Sequence, residues 1–464
     1  MEDFSEALMT VIQDLKTEQS SFKDMGSDSE EKAFYDILKS LTVKYDFAYP
    51  NDKLITLSKD PPMTPNTLFR SLLRPYSPTI FKGDVFEALA KRGIQHNDPR
   101  IKIAIANLEA LKDTAPLDET LFATCVQENS EILEHLLLGD LVIPDFGHFT
   151  EVITEIFEDL KKNTEGKVAT YIPQLAHVNP EYWGLSVCTV DGQHFTIGDA
   201  DTHYCVQSTC KPINYSILLE TLGANHVHNY IGREPSGRGF NELTLNHEGR
   251  PHNPMINAGA IMACSLIRPE LPLEERLGVV LDTWQKLTGG YRPGFNLEVY
   301  LSEKGTADRN FALGYFMREK KAFPEGIDLH QVLDFYFQCC SIEMRCRTQA
   351  VVAASLANGG VCPITGVPVF DRSTAKDCLS LMYSCGMYDF SGEFAFTVGL
   401  PAKSSVSGAL MVVVPGICGI TVWSPRLDRY GNSERGLAFC NRLGKAFGFH
   451  IYDRLLKPTP REGV

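Results

Sequence analysis

Apolar residues recur at helical spacing from the start of the chain. Phe4, Leu8, Val11, Ile12 and Leu15 fall on one face of a predicted amphipathic helix. The polar stretch Gly26-Ser27-Asp28-Ser29-Glu30-Glu31 reads as a flexible linker, and helical spacing resumes from Lys32 to Val43. The proline-rich run Asp60-Pro61-Pro62-Met63-Thr64-Pro65 reads as a loop. From Phe81 to about Lys162 the pattern is helical almost throughout. Gly83-Asp84 precedes one helix, Asp98-Pro99 opens another, and Pro116-Leu117-Asp118 opens a third. The helical pattern ends near Asn163-Thr164-Glu165-Gly166. The expected division is therefore a helix and linker over 1–30, a helical module over 31–163, a second domain over 164–455 and a tail over 456–464.

Past that boundary the period changes from helix to strand. Trp183 to Val190 and Gln193 to Gly198 read as strands joined by Asp191-Gly192, a strong hairpin signal. A helical region fills the middle of the chain. Strands return at Gly408 to Val414 and Gly419 to Trp423, and a last helix covers about Ser433 to Phe447. Strands at both ends of a domain with helices between them predict an α+β fold, an antiparallel sheet packed against a helical cluster.

Between the hairpin and the helical region stands Gln207-Ser208-Thr209-Cys210-Lys211-Pro212, followed by the apolar-rich run Ile213 to Leu222. Proline is tolerated around the first turn of a helix, so a helix should begin close to Ser208. Residues three apart share a helix face, which lets the Lys211 amine approach the Ser208 hydroxyl. A desolvated, neutral lysine can take the proton of a serine and make it a nucleophile. The free N–H groups and positive dipole end of the helix would stabilise an oxyanion there. The spacing alone is not specific: Ser20 and Lys23, Ser29 and Lys32, and Ser373 and Lys376 share it, and read as solvated surface pairs.

Composition narrows the function classes. A chain of 464 residues exceeds what one core usually fills, so two domains are expected. The formal net charge of −14 and the lack of a basic stripe argue against a nucleic-acid partner. No apolar run reaches the roughly 18 residues of a membrane span. The acidic start Met1-Glu2-Asp3 is unlike a signal or transit peptide, so the chain is expected to be cytosolic or to have lost a presequence. Thirteen scattered cysteines without a Cys-x-x-Cys suggest neither a disulfide framework nor a zinc site. His226-Val227-His228 lacks acidic or cysteine partners, so no metal is expected. The acidic residues of the helical module do not match a calcium loop and read as a solvated face.

Further polar clusters sit in apolar surroundings. Gly386-Met387-Tyr388-Asp389 offers a tyrosine able to protonate a departing nitrogen. Pro401-Ala402-Lys403-Ser404-Ser405-Val406-Ser407-Gly408 leads into a strand and is similar to a Lys-Ser/Thr-Gly edge motif. His252 to Ala260 places amides among small residues, while Ser302-Glu303 and Asp308-Arg309-Asn310 add a carboxylate and an amide. Together with Tyr171-Ile172-Pro173-Gln174, Glu234-Pro235-Ser236-Gly237, Asp334-Phe335-Tyr336-Phe337 and Leu356-Ala357-Asn358-Gly359-Gly360, these stretches resemble the serine-dependent glutaminases, and most of all the animal phosphate-activated kind. The resemblance covers about Val168 to Asp453 closely and the helical module more loosely.

That resemblance implies a catalytic domain like those of β-lactamases and penicillin-binding proteins, with an N-terminal all-helical EF-hand-like module. It implies hydrolysis of L-glutamine to L-glutamate and ammonia through an acyl-enzyme. Ser208 would be the nucleophile, Lys211 the base and Tyr388 the donor to ammonia. The amides of Ser208 and Val406 would hold the oxyanion. Glu303 would take the α-ammonium, and Tyr171, Gln207, Asn257, Asn310 and Tyr336 would supply neutral contacts. No cofactor is implied, with inorganic phosphate as activator. Self-association to dimers and tetramers and an intracellular location are also implied, mitochondrial with the presequence missing or alternatively cytoplasmic.

Two departures stand out. Ser405 replaces the usual glycine of the edge motif and could crowd the oxyanion region. Thr244, between Leu243 and Leu245, replaces a phenylalanine in a loop associated with dimer–dimer contact and effector sites. The ankyrin repeats that follow the catalytic domain in longer relatives are absent, which reads as a short isoform or a trimmed chain. Two other function classes compete. A penicillin-recognising hydrolase would need export, and a catalytically dead scaffold would have no need to keep Ser208, Lys211 and Tyr388.

Overall fold

The computed structural model describes residues 65–74, 77–237 and 242–455, all within one compact unit, Pro62–Val464. The predicted helices at 4–15 and 32–43, the linker between them and the tail from 456 lie outside the described residues.

The N-terminal module is built from α1 (Pro65–Leu72), α2 (Lys82–Lys91), α3 (Lys102–Glu109), α4 (Glu119–Val126) and α5 (Ser130–Leu138). Pro65, expected in a loop, instead opens α1, where its missing N–H has no helical acceptor to lose. Gly83-Asp84, expected to precede a helix, lies inside the first turn of α2; Asp84 accepts from the Phe81 amide at 2.8 Å. Asp98 caps the 3-10 turn Pro99–Ile101 that leads into α3, and Asp118 caps α4 through the Leu121 amide at 2.8 Å. These carboxylates satisfy helix-terminal donors, which stabilises each start by about 1 kcal/mol. Leu68, Phe69, Val85, Leu89, Ile105, Leu108, Phe122, Leu133 and Leu136 meet in the module's own core.

The next helix, α6 (Phe146–Leu160), has the same amphipathic pattern but a different destination. Its Phe149, Ile153 and Phe157 pack on the large sheet; Phe157 stacks on Trp183 at 4.8 Å. The core of the second domain thus begins some twenty residues before the change of period at 163–166.

The large sheet contains β1 (Gly184–Thr189), β2 (His194–Gly198), β6 (Ala402–Ser404), β7 (Ala409–Val414) and β8 (Cys418–Trp423), in the antiparallel order β2-β1-β8-β7-β6. Leu185 faces Val422, which faces Leu410, which faces Ser404, so one side chain per strand lines the same face. That face meets α6, and the opposite face, with Met411, Val413 and Trp423, meets the central helices. Burial on both faces explains why β7 and β8 read as apolar runs without alternation. At the hairpin tip Gly192 has φ +82°, and Arg100 of the module donates to the Asp191 carbonyl at 2.6 Å. A Cβ at Gly192 would collide with that guanidinium, so the turn's glycine also seats the module.

A second sheet, β3 (Tyr204–Cys205), β4 (Gly294–Phe295) and β5 (Ile342–Met344), is ordered β3-β5-β4. Between and after these strands run α7 (Lys211–Leu222), α8 (Asn257–Leu266), α9 (Leu297–Gly305), α10 (Asp308–Glu319), α11 (Leu329–Cys340), α12 (Cys346–Ala357), α13 (Ser391–Thr397) and α14 (Glu434–Phe447). No described helix is long and apolar enough to cross a membrane. All thirteen cysteines are unpaired and buried.

Candidate active site

The short strand β3 delivers the chain into a 3-10 turn over Gln207–Cys210, and α7 continues from Lys211 with Pro212 in its first turn. This is the helix start expected at Ser208, reached through a tighter turn. Ser208 and Lys211 come out on one face, with Oγ and Nζ 2.8 Å apart. Gln207, immediately before the serine, has φ +46°. A left-handed conformation costs a non-glycine residue about 1–2 kcal/mol and is kept where the surroundings over-determine it. Here the surroundings are explicit: the Gln207 amide donates to Glu303 Oε1 at 2.8 Å.

Lys211 lies in the core at 1% exposure. Burial holds its pKa below the ordinary lysine value, because a charged amine there loses its hydration. Its Nζ also donates to Asn257 Oδ1 at 2.8 Å, and Asn257 Nδ2 reaches Asn310 Oδ1 at 3.4 Å. Asn257 is the first residue of α8, and that helix can approach because Gly259 has no Cβ; one there would collide with the Asn253 carbonyl. Asn310 comes from the first turn of α10.

At the other end of the site α9 carries Glu303, which is 7% exposed. Tyr171 donates to its Oε1 at 2.6 Å, on the oxygen that Gln207 also uses. Burial raises the Glu303 pKa, opposed first by the Tyr171 and Gln207 hydrogen bonds and then by the Lys211 charge. Tyr171 is 46% exposed as a residue while its hydroxyl end is bonded to Glu303, so it covers the carboxylate from outside. Tyr171 and Gln207, expected as neutral contacts to a ligand, are here donors to Glu303. Tyr336, on α11, is 5% exposed; burial pushes its phenol up, with the Cys340, Cys210 and Glu303 charges adding to it.

Tyr388 completes the group from the opposite side. Its hydroxyl donates to the Ser404 carbonyl at 3.1 Å. Burial raises its pKa, eased by a hydrogen bond with Ser208, so the phenol stays protonated at neutral pH. Lys403 on β6 lies 4.4 Å from the Tyr388 ring centroid and donates to the carbonyls of Ser404 (2.8 Å) and Gly386 (3.1 Å). Burial, with the Lys211 charge second, holds Lys403 well below the usual lysine range. Val406 is half-buried and packs beside Ile172, Leu175, Cys205 and Val299. Ser405 is buried, and its hydroxyl is bonded to that of Ser407 at 2.9 Å, within the turn. A groove of about 980 Å³ opens past Val406, between Lys167-Val168 and Leu427 to Gly431.

The dyad, the amide pair, the covered carboxylate and the tyrosine thus draw on distant parts of the chain. The His226/His228 pair has another use. His228 lies 2.8 Å from both the Tyr215 hydroxyl and the Ile231 carbonyl oxygen, making it a satisfied core histidine. Among the described residues no three His, Cys, Asp or Glu side chains converge as metal ligands.

The glutaminase family model matches residues 166–452, a span that contains every one of these groups. The chain belongs to the glutaminase family. An EF-hand domain model matches residues 64–144, the helical module. The chain is 49% identical to the mitochondrial liver isoform of glutaminase from Rattus norvegicus over 372 residues, 79% of this chain and 62% of that protein. It therefore spans less than two thirds of that relative's length. A glutaminase from a Nostoc species is 42% identical over 316 residues, 68% of this chain but 93% of the bacterial one. A crystal structure of Mglu in its glutamate form superposes with a TM-score of 0.62 at 37% identity, covering 64% of this chain and 68% of that one.

Sequence reasoning did not find the companions of Tyr388. Ser391 and Asn432 bond the loop that carries it. In the sequence Lys403 stands out only through the edge motif. No spacing rule joins these positions; the nearest signal was Ser391, three residues after the tyrosine.

Proposed function

We propose that this chain hydrolyses the side-chain amide of L-glutamine, giving L-glutamate and ammonia. The observation that carries this is the 2.8 Å approach of a buried lysine amine to Ser208, at one end of a site whose other end is the buried carboxylate Glu303. That pairing suits a substrate with an amide at one end and an ammonium at the other. The Nostoc glutaminase, matched over nearly its whole length, and the Mglu structure in its glutamate form support it.

The neutral Lys211 amine accepts the Ser208 proton as Oγ attacks the amide carbon. The C=O electrons move onto oxygen, held by the amides of Ser208 and Val406. When they return, the C–N bond breaks, and the nitrogen takes a proton from Tyr388, whose phenol is restored by the proton that Lys211 took from Ser208. Water, deprotonated in its turn, attacks the ester. Glutamate leaves as Ser208 regains its proton. Glu303 holds the substrate's α-ammonium. Asn257, Asn310 and Tyr336 complete the shell as neutral donors to the α-carboxylate and its surroundings.

Ser208→Ala tests this. Ammonia release from glutamine should fall by about 10⁴-fold or more while far-UV circular dichroism is unchanged. Turnover near that of the parent would remove the nucleophile.

Activation by inorganic phosphate, self-association to dimers and tetramers and a mitochondrial location belong to the same proposal. Phe396, 81% exposed, and Leu297 and Leu301 on one face of α9 are apolar surface that a second copy would cover. The rat relative's mitochondrial name supports the location. Sedimentation and ammonia release measured with and without phosphate test the first two. Cell fractionation tests the third.

A further inference from the structure

Tyr388 combines a bulky side chain with φ +54°, one of few such conformations outside glycine among the described residues. A residue reaches that region only if its neighbours hold it there, and each hold can be named. On the N-terminal side Gly386 approaches β6 so closely that a Cβ would collide with the Ala402 carbonyl. The Gly386 carbonyl accepts from the Ser404 amide and from Lys403 Nζ, both at 3.1 Å, which fixes the loop to the strand. On the C-terminal side one hydroxyl does two jobs. Ser391 Oγ accepts from the Met387 amide at 3.0 Å and donates to the Tyr388 carbonyl at 2.7 Å. It therefore clasps the Gly386–Met387 peptide unit to the Tyr388–Asp389 unit, bracketing the tyrosine. Asn432 adds a longer contact, Nδ2 to the Met387 carbonyl at 3.4 Å. Ser391 is 6% exposed and opens α13, so its own position is set by that helix and the core.

We propose that Ser391 is a positioning residue for Tyr388, its hydroxyl closing the turn that keeps the phenol at Ser208. The inference rests on the role given to Tyr388 above. Without the hydroxyl the Met387 amide loses its partner, and the turn keeps only the backbone bonds from the Phe390 amide to the Met387 carbonyl at 3.1 Å and from the Ser391 amide to the Tyr388 carbonyl. The tyrosine then relaxes to negative φ, and the ring swings off the line between Ser208 and the Ser404 carbonyl. The Glu303 end of the site lies on other elements and is not touched.

Four variants test this: Ser391→Ala, Ser391→Thr, Tyr388→Phe and the double variant Ser391→Ala with Tyr388→Phe. Ser391→Ala should lower kcat by about 10- to 100-fold, with KM for glutamine within about twofold. Ser391→Thr keeps the hydroxyl and should recover most of the loss. In the Tyr388→Phe background the alanine should cost less than about twofold, because a displaced ring without its hydroxyl has nothing more to lose. Should the alanine variant not fold, Ser391→Cys, nearly isosteric and a weaker hydrogen-bond partner, carries the same comparison. Unchanged kcat in Ser391→Ala beside an impaired Tyr388→Phe overturns the proposal alone. So does an equal loss in both backgrounds, or a rise in KM without a fall in kcat. Full turnover in Tyr388→Phe overturns the tyrosine's role and this proposal with it.

Discussion

Lys211 and Lys403 are both enclosed by the core, and each has its pKa lowered chiefly by lost hydration. Between the lowered folded value and the ordinary one, the unfolded chain binds a proton that the native chain does not. Each amine therefore costs stability at neutral pH, and the cost shrinks as pH rises toward the ordinary lysine value. The same shift gives Lys211 its use as a base. Two outcomes follow at this scale. The rising limb of the kcat profile should lie below the ordinary lysine value, because Lys211 must be neutral to accept the serine proton. Lys211→Met should abolish turnover yet raise the melting temperature, corresponding to roughly 1 kcal/mol, since an apolar side chain of similar length needs no hydration. A lower melting temperature would mean that the bonds to Ser208 and Asn257 outweigh the desolvation.

Among the elements, α8 and the turn at Gln207–Cys210 decide whether the dyad works. The serine turn was legible in the sequence because Pro212 and the apolar run after it mark a helix start, and a three-residue spacing does the rest. The contact of Tyr171 with Glu303 joins residues 132 apart, and no local pattern encodes such a distance. The hairpin and the two long C-terminal strands were legible through Asp191-Gly192 and unbroken apolar runs. The small sheet was not, since strands of two or three residues leave no alternation to detect. Nor does an amphipathic stripe say which core it faces, and α6 joined the sheet instead of the helices before it. At α8, Gly259→Ala should push the helix away from the Asn253 carbonyl and carry Asn257 off Lys211. A displacement near 1 Å lowers kcat/KM by about 100-fold. A glutamine assay beside a crystal structure of the variant checks both the loss and the shift.

In the whole molecule the helical module and the large sheet are joined by hydrogen bonds at the sheet's β2 edge. The His194 amide donates to the Gly93 carbonyl at 2.7 Å, and its imidazole meets Ser186 Oγ at 2.9 Å. Arg347 donates to Gln95 in the module, Thr196 on β2 and Asp201 before β3. Burial first, and the Arg347 charge second, hold the His194 pKa down at about 3. Unfolded, the imidazole titrates near its ordinary value of about 6.5. Between the two the unfolded state takes up a proton that the native state refuses. This joint should therefore lose stability as pH falls from about 6.5, at roughly 1.4 kcal/mol per pH unit for one proton. Denaturant midpoints between pH 7 and pH 5 should show the slope, and His194→Gln should flatten it by that one proton.

The thirteen unpaired thiols, none of them at the surface, give the protein an internal clock. A maleimide or nitrobenzoate reagent can reach them only when the chain opens. The rate of each modification then reports how often its neighbourhood comes apart. Cys125 sits in the helical module, Cys418 and Cys440 at the sheet, and Cys210, Cys264, Cys339 and Cys340 in the central helical core beside the dyad. Mass spectrometry of a timed labelling series would rank these regions by the order in which they yield, in the unaltered protein and without adding a single probe.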